Sequence, residues 1–316
     1  KLIFESINKN KSELSILIPT FKRIELLKNA VLSAINQKTK VDYEIIIIDN
    51  DQSKDSLSLI NRLSLRYPSA NLALYQHKEN VGLYGNWNSS LELGKAPWIT
   101  VLSDDDLLKK NWLSEMWKIK NTLNDPILIG CELEFNEQKY NQYNLFKNFI
   151  SFFEKYFYSE MKLRNLSVLD YFIEMPHQGC LGVLINRKAA IEFGGFNEKY
   201  HPCADYKLLS NLATLKKSFL IKKKLAVYLT GVNISQKPET VHKGLEINRK
   251  IQLKLLSKLP HKGRLIYKWY INLFLARSIS GNRKHYRSNE KIKNFISRNN
   301  INFKCNSILY LIFKTM

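Results

Sequence analysis

Asp104, Asp105 and Asp106 stand in a row directly after an apolar stretch, residues 98–102, that reads as a buried strand. Three adjoining carboxylates repel one another unless a cation lies among them. A hard divalent ion such as Mg2+ or Mn2+ takes oxygen ligands and bridges to substrate phosphate. The same triplet also suits a solvated acidic turn capping the helix expected over residues 111–123, since Asp favours helix starts. Asp49, Asn50 and Asp51 follow a second apolar run, and Thr20 follows a third.

The elements that must hold these groups alternate. Residues 14–18, 43–48, 72–76 and 98–102 read as strands, and YEIIII at 43–48 has the near-continuous apolar character of a strand covered on both faces. Helices are expected over 24–36, 55–66 and 84–93; the first carries Leu26, Leu27, Ala30, Val31, Ala34 and Ile35 at helical spacing. Strand–helix alternation implies a parallel sheet with right-handed crossovers, and ligands bind such sheets at the carboxyl ends of the strands. Thr20, Asp49 to Asp51 and Asp104 to Asp106 all lie there. Further on, 136–165 is rich in Phe and Tyr and reads as a packed helix or flap, or as an acceptor- or membrane-facing surface. Residues 179–186 read as a returning strand, Gly194-Gly195-Phe196 as a tight turn, 205–215 as a helix and 218–229 as an edge strand bearing lysines.

The chain has 316 residues, 45% hydrophobic and 12% aromatic, enough for a sizeable core. Four scattered cysteines offer no CxxC spacing and suit a reducing compartment. No signal-peptide pattern opens the sequence, and no apolar run reaches the ~20 residues of a membrane span. The net charge of +21 is uneven. Residues 241–316 hold 17 Lys/Arg against two acids, Glu246 and Glu290, a surplus of +15, which leaves +6 for residues 1–240. Such a tail seeks a polyanion, either nucleic acid or an anionic membrane. It reads as helical, with Leu245, Ile251, Leu255 and Leu259 sharing one face and Leu265, Trp269, Leu273 and Ala276 another.

Four strings in order, LSILIPTFKR (14–23), YEIIIIDNDQSKDS (43–56), ENVGLYGNWNSSLELGKAPWITVLSDDD (79–106) and GGFNEKYHPCADYKLLSNL (194–212), resemble family 2 glycosyltransferases of the GT-A fold. The resemblance covers about residues 12–235. It implies an α/β GT-A fold, a mostly parallel central sheet flanked by helices, to which the chain adds a basic helical C-terminal extension. Residues 1–239 then form the nucleotide-sugar-binding and catalytic domain, and 240–316 the extension, touching a membrane surface or another subunit.

The resemblance also implies roles. Nucleotide-sugar contacts fall to Pro19, Thr20, Phe21, Arg23, Asp49, Asp51, Asn80, Gly82, Asn86 and Asp104. Asp49 would accept hydrogen bonds from a pyrimidine, its structural alternative being an Asx turn. Arg23 suits phosphate by its fork geometry, and is equally read as a surface helix residue. Asp105 and Asp106 would hold Mn2+ or Mg2+, which offsets charge on the departing nucleoside diphosphate. Asp205 would be the general base, or else cap the helix after it. Family members carry Glu-Asp where this chain has Ala204-Asp205, and many carry a histidine where this chain has Gly231, with Asn233 or Ser235 nearby.

The expected protein is an inverting, metal-dependent transferase. It would use a nucleoside-diphosphate sugar, a UDP sugar by family frequency, and a glycan or lipid-linked acceptor, at the cytosolic membrane face. The alternative is a nucleic-acid- or anionic-surface-binding protein with a non-catalytic nucleotide-binding sheet. It rests on the pI near 9.7 and on Tyr267, Trp269, Tyr270 and Tyr286 in the tail.

Overall fold

The structure, a computed structural model, describes residues 1–6, 11–135, 163–229, 238–261, 264–281 and 290–298. The aromatic segment up to residue 162, together with Gly231, Asn233, Ser235, Tyr286 and Cys305, lies outside the described residues.

The first half is built as the apolar periodicity demands. Strands β2 (Leu14–Thr20) and β3 (Tyr43–Asp49) pair in parallel from Leu14↔Tyr43 to Thr20↔Asp49. Strand β4 (Leu72–Gln76) flanks β3, and β5 (Trp98–Val101) flanks β2, both in parallel. Helices α1 (Ile24–Ile35), α2 (Asp55–Arg66) and α3 (Gly82–Leu93) are the crossovers. Helix α1 buries Leu27, Ala30, Val31 and Ala34, the i, i+3, i+4, i+7 stripe that faces a sheet. Strand β1 (Leu2–Glu5) closes this edge, antiparallel to β4.

The second half departs from parallel order. Strand β6 (Asp106–Leu108) and helix α4 (Trp112–Thr122) lead to β7 (Leu128–Phe135). The returning strand is shorter than its sequence suggested. Residues 179–183 turn, with Gly179 and Gly182 at positive φ, and only β9 (Leu184–Asn186) is extended. It inserts antiparallel between β5 and β7. Beyond it the chain forms α6 (Arg187–Glu192), while β8 (Leu163–Leu166) and α5 (Val168–Ile173) precede it.

Strand β10 (Ser218–Tyr228) corrects another expectation: it is interior rather than an edge. One side pairs in parallel with β7 along its length. The other pairs with β8 over Ser218 to Ile221 and with β6 over Ala226 to Tyr228. Lys222, Lys223 and Lys224 fall between those two partners, where the register with β7 slips. Lys223 meets Glu115 on α4 at 2.7 Å. The lysines that suggested an edge therefore mark a gap within one.

The expected tight turn is present. Gly194 and Gly195 have φ of +82° and +59°, and a Cβ on Gly195 would stand 2.5 Å from Asn88 Oδ1. Asn88 accepts from Phe196 N (2.8 Å) and donates to Phe196 O (2.9 Å), fastening this turn to α3.

Helix α7 (Ala204–Leu212) follows, and then α8 (Pro238–Leu256), α9 (Arg264–Gly281) and α10 (Glu290–Arg298). Leu245, Ile251 and Leu255 of α8 and Leu259 just beyond it are buried, as the sequence stripe expects, and Ile247 is buried with them. On α9 the expected face fails in part: Leu265 and Trp269 are exposed, while Tyr270, Ile271, Leu273 and Leu275 are buried. These α8 and α9 residues share one hydrophobic cluster with Leu17, Tyr171, Phe172 and Leu209. Gln252 Nε2 donates to Phe172 O (3.0 Å) and Tyr270 OH to Ile173 O (2.9 Å), satisfying the end of α5.

Candidate active site

The strand ends converge on one cleft of about 730 Å3. Its first wall comes from the ends of β2, β3 and β5 and the start of α3: Thr20, Arg23, Asn50, Asn80, Asn86 and Asp104 to Asp106. Pro19, Phe21 and Gly82 also line it.

The aspartates are not a solvated cap. Asp104 and Asp105 are each 7% exposed and Asp106 is 3% exposed, and α4 takes its own N-cap at Asn111. Thr20 Oγ1 donates to Asp104 Oδ2 at 2.7 Å. One guanidinium nitrogen of Arg23 donates to Asp104 Oδ1 at 3.1 Å and to Asp105 Oδ2 at 2.7 Å. Asp106 opens β6 and accepts from Leu229 N at 3.2 Å. Burial pushes the Asp104 carboxyl up to about 6; Thr20 and Arg23 work against the shift and the Asp105 charge adds to it. Burial, then the charges of Asp105 and Asp104, push Asp106 up to about 8, against the Leu229 N–H. The cluster is short of positive charge even with Arg23 in place, and its donors are all hard oxygens. That fits a divalent cation of the Mg2+ or Mn2+ type. Among the described residues no three His, Cys, Asp or Glu side chains form a full ligand set, so phosphate and water oxygens would complete the shell.

Asn86 is 4% exposed on the first turns of α3. Its Nδ2 donates to Thr20 O (3.3 Å) and Ile48 O (3.1 Å), which ties β2 to β3 and fixes the orientation of the amide. Its Oδ1 is buried with no hydrogen-bond partner among the described residues. An orphan acceptor in a polar cleft is a place for a ligand N–H or O–H. The sequence marked Asn86, but not that its unpaired atom is the carbonyl oxygen.

Asp49 and Asp51 depart from expectation: they are not among the residues that line the cleft. Asp49 Oδ2 accepts from Ser56 Oγ (2.6 Å) and Oδ1 from Asp51 N (2.9 Å), the Asx turn that was the structural alternative. Asn50 lines the cleft in their stead. Its Nδ2 donates to Asn80 Oδ1 (2.7 Å) and to Gly82 O (3.2 Å), and its Oδ1 accepts from Val81 N (2.9 Å), so it shapes the loop before α3. Sequence reasoning missed it because three adjacent polar residues at a strand end leave open which one turns inward.

The second wall carries Asp205. Helix α7 starts after Cys203, so Asp205 sits in its first turn rather than at the cap. Its Oδ1 accepts from Tyr206 N at 2.7 Å. Its Oδ2 lies against Gly179, where an added Cβ would stand 2.7 Å away. Asp205 is partly exposed and opens on the cleft, yet protein packed around it pushes its carboxyl up to about 6; the Tyr206 N–H opposes the shift. Ala204, where the resemblance implies a glutamate, is fully buried and its N–H donates to Tyr84 OH at 3.3 Å. His177 is structural: its Nε2 meets Tyr171 OH (2.8 Å), its Nδ1 meets Gly179 O (3.0 Å), and burial lowers it to about 4. It props Gly179 under Asp205.

This is a two-walled polar cleft at the carboxyl ends of a largely parallel sheet. A family model described as Glycosyl transferase family 2 matches residues 15–189, over half of the sequence, and the chain belongs to that family. Over 122 residues it is 33% identical to the GalNAc(5)-diNAcBac-PP-undecaprenol beta-1,3-glucosyltransferase of Campylobacter jejuni, 39% of each chain. Over 120 residues it is 32% identical to the poly(ribitol-phosphate) beta-N-acetylglucosaminyltransferase TarP of Staphylococcus aureus, 37% of this chain and 36% of that one. The alignments thus span under two fifths of each relative's length. Among solved structures, S. aureus TarS 1–349 in complex with UDP-GlcNAc superposes with a TM-score of 0.63 at 14% identity, covering 85% of this chain and 73% of that one. Mannosyltransferase PcManGT from Pyrobaculum calidifontis, in complex with GDP-Man and Mn2+, gives 0.60 at 13% identity, covering 98% and 85%. These likenesses establish the GT-A fold.

Proposed function

We propose that the chain is an inverting, metal-dependent glycosyltransferase. It would move a sugar from a nucleoside diphosphate, UDP in the first instance, to a hydroxyl of a glycan or lipid-linked glycan in surface-polysaccharide assembly. One observation carries this reading: the buried aspartate cluster after β5 and the partly exposed Asp205, with a carboxyl near 6, share a single cleft.

The residues divide the work. Asn86 Oδ1 accepts a hydrogen bond from the nucleotide or its sugar. Arg23, which faces Asp104 and Asp105, would meet donor phosphate. Asp104, held by Thr20, faces ribose or the donor sugar. Asp105 and Asp106 would hold Mn2+ or Mg2+, which when bound supplies positive charge beside the departing diphosphate. Asp205 removes the acceptor hydroxyl proton, so that this oxygen attacks the anomeric carbon directly and inverts it. The undecaprenol-linked substrate in the Campylobacter relative's name supports a lipid-linked acceptor here. The basic surplus beyond residue 240 supports peripheral attachment at the cytosolic membrane face, at about 1 kcal/mol per basic residue near an anionic surface. Among the described residues no helix is long and apolar enough to cross a membrane.

A thermal-shift panel of UDP-glucose, UDP-GlcNAc and GDP-mannose, with and without Mn2+, tests the reading. One donor should raise the melting temperature, and by more when Mn2+ is present. No shift with any nucleotide sugar overturns it.

A further inference from the structure

We propose that the end of the cleft beyond Asp205, walled by α8 and α9, is a subsite for one sugar ring of the acceptor, and that Gly244 sets its size. The proposal rests on the transferase reading and specifies its second substrate. Met175, Thr240, Val241, Gly244, Asn248 and Phe274 line this end. All but Met175 come from α8 and α9, outside the residues the family model matches. The lining alternates apolar surface with a hydroxyl and a carboxamide. A pyranose offers the complement, with C–H faces and a rim of hydroxyls, whereas a lipid chain would leave Thr240 and Asn248 without purpose in the wall. Asp205 as base requires an acceptor hydroxyl at this side of the cleft.

Gly244 is the sharpest sign. It lies inside a 19-residue helix, where glycine is less stable than alanine. Packing does not demand it. An added Cβ would meet Pro202 Cγ at 3.5 Å and Cys203 Sγ at 3.9 Å, ordinary contacts. Its φ does not fall in the left-handed region. It sits at the cleft opposite Pro202 and Cys203, three and two residues before Asp205, and Cys203 Sγ donates to its carbonyl at 3.7 Å. A residue that neither backbone nor packing requires, beside the base, is explained by the room it leaves.

The test is saturation-transfer NMR on the full chain with p-nitrophenyl glycosides of glucose, N-acetylglucosamine, N-acetylgalactosamine and mannose, in the presence of UDP or GDP. At least one glycoside should bind. Gly244→Leu should weaken it at least tenfold while nucleotide affinity stays within twofold. Gly244→Ala should fold, melt higher than the parent and weaken the glycoside two- to fivefold. Asn248→Ala, the second variant should Gly244→Leu fail to fold, should weaken it about tenfold. Equal glycoside binding in the variants, or no glycoside bound by the parent, overturns the subsite. Failure of the parent to bind either nucleotide overturns the transferase reading instead.

Discussion

At Asp205, a carboxylate is held where its charge is costly to the fold and useful to the chemistry. Burial raises its carboxyl from the ordinary range to about 6. A raised carboxyl favours the folded state at low pH and forfeits that contribution as pH rises through about 6. Asp205→Asn should therefore raise the melting temperature at pH 8, by the equivalent of about 3 kcal/mol, with the gain vanishing near pH 4. The same variant should lower transfer at least a hundredfold, and in the parent the rate should fall as pH drops through about 6, because the base must be ionised. Paired melting curves and pH–rate profiles check both; full transfer by Asp205→Asn would remove the base assignment. Gly179 supports it from below. Gly179→Ala places a Cβ 2.7 Å from Asp205 Oδ2 at a φ of +55°, so kcat should fall at least tenfold while nucleotide affinity is kept.

Elements bring these residues together through a few specific ties. Helix α3 holds β2 to β3 through Asn86 and holds the 194–196 turn through Asn88. Removing the Asn88 amide leaves the Phe196 backbone groups unpaired in a packed region. Asn88→Ala should cost about 2–3 kcal/mol in urea unfolding, whereas Ala at the exposed Leu65 should cost little. The alternation from residue 14 to 108 was legible because parallel strands buried on both faces and amphipathic crossovers have distinct periods. Strand β10 was not, since its lysines look the same beside a gap between two partners as beside open solvent. The place of Asp49 was not legible for a related reason: an Asx turn and a ligand contact ask for the same residue type at the same strand end.

At the scale of the molecule, α8 and α9 complete both the core and the cleft. Ile251, Leu255, Tyr270 and Leu273 are buried with Tyr171 and Phe172 of α5. Deleting residues 238–316 would expose that surface, so the truncated chain should aggregate or lose its cooperative melting transition, seen by calorimetry and light scattering. The membrane question is better put to charge alone. Lys243, Lys250 and Lys258 are exposed on and just after α8. Changing all three to Gln should leave the fold intact and weaken binding to phosphatidylglycerol vesicles about tenfold or more at low salt. Unchanged cosedimentation would remove this surface from the membrane reading.

The sequence by itself determined the strand–helix order, the family and the two acidic stations, because local periodicity and short strings at strand ends are properties of neighbouring residues. Tertiary structure decided which polar atoms face the cleft. It turned Asn50 inward and left Asp49 to the turn, and it left Asn86 Oδ1 without a partner. It also brought Gly244 opposite Pro202, so that a helix read as a basic appendage walls the cleft. Those outcomes rest on packing between segments tens to hundreds of residues apart. Burial and register are set there, and no local pattern encodes them.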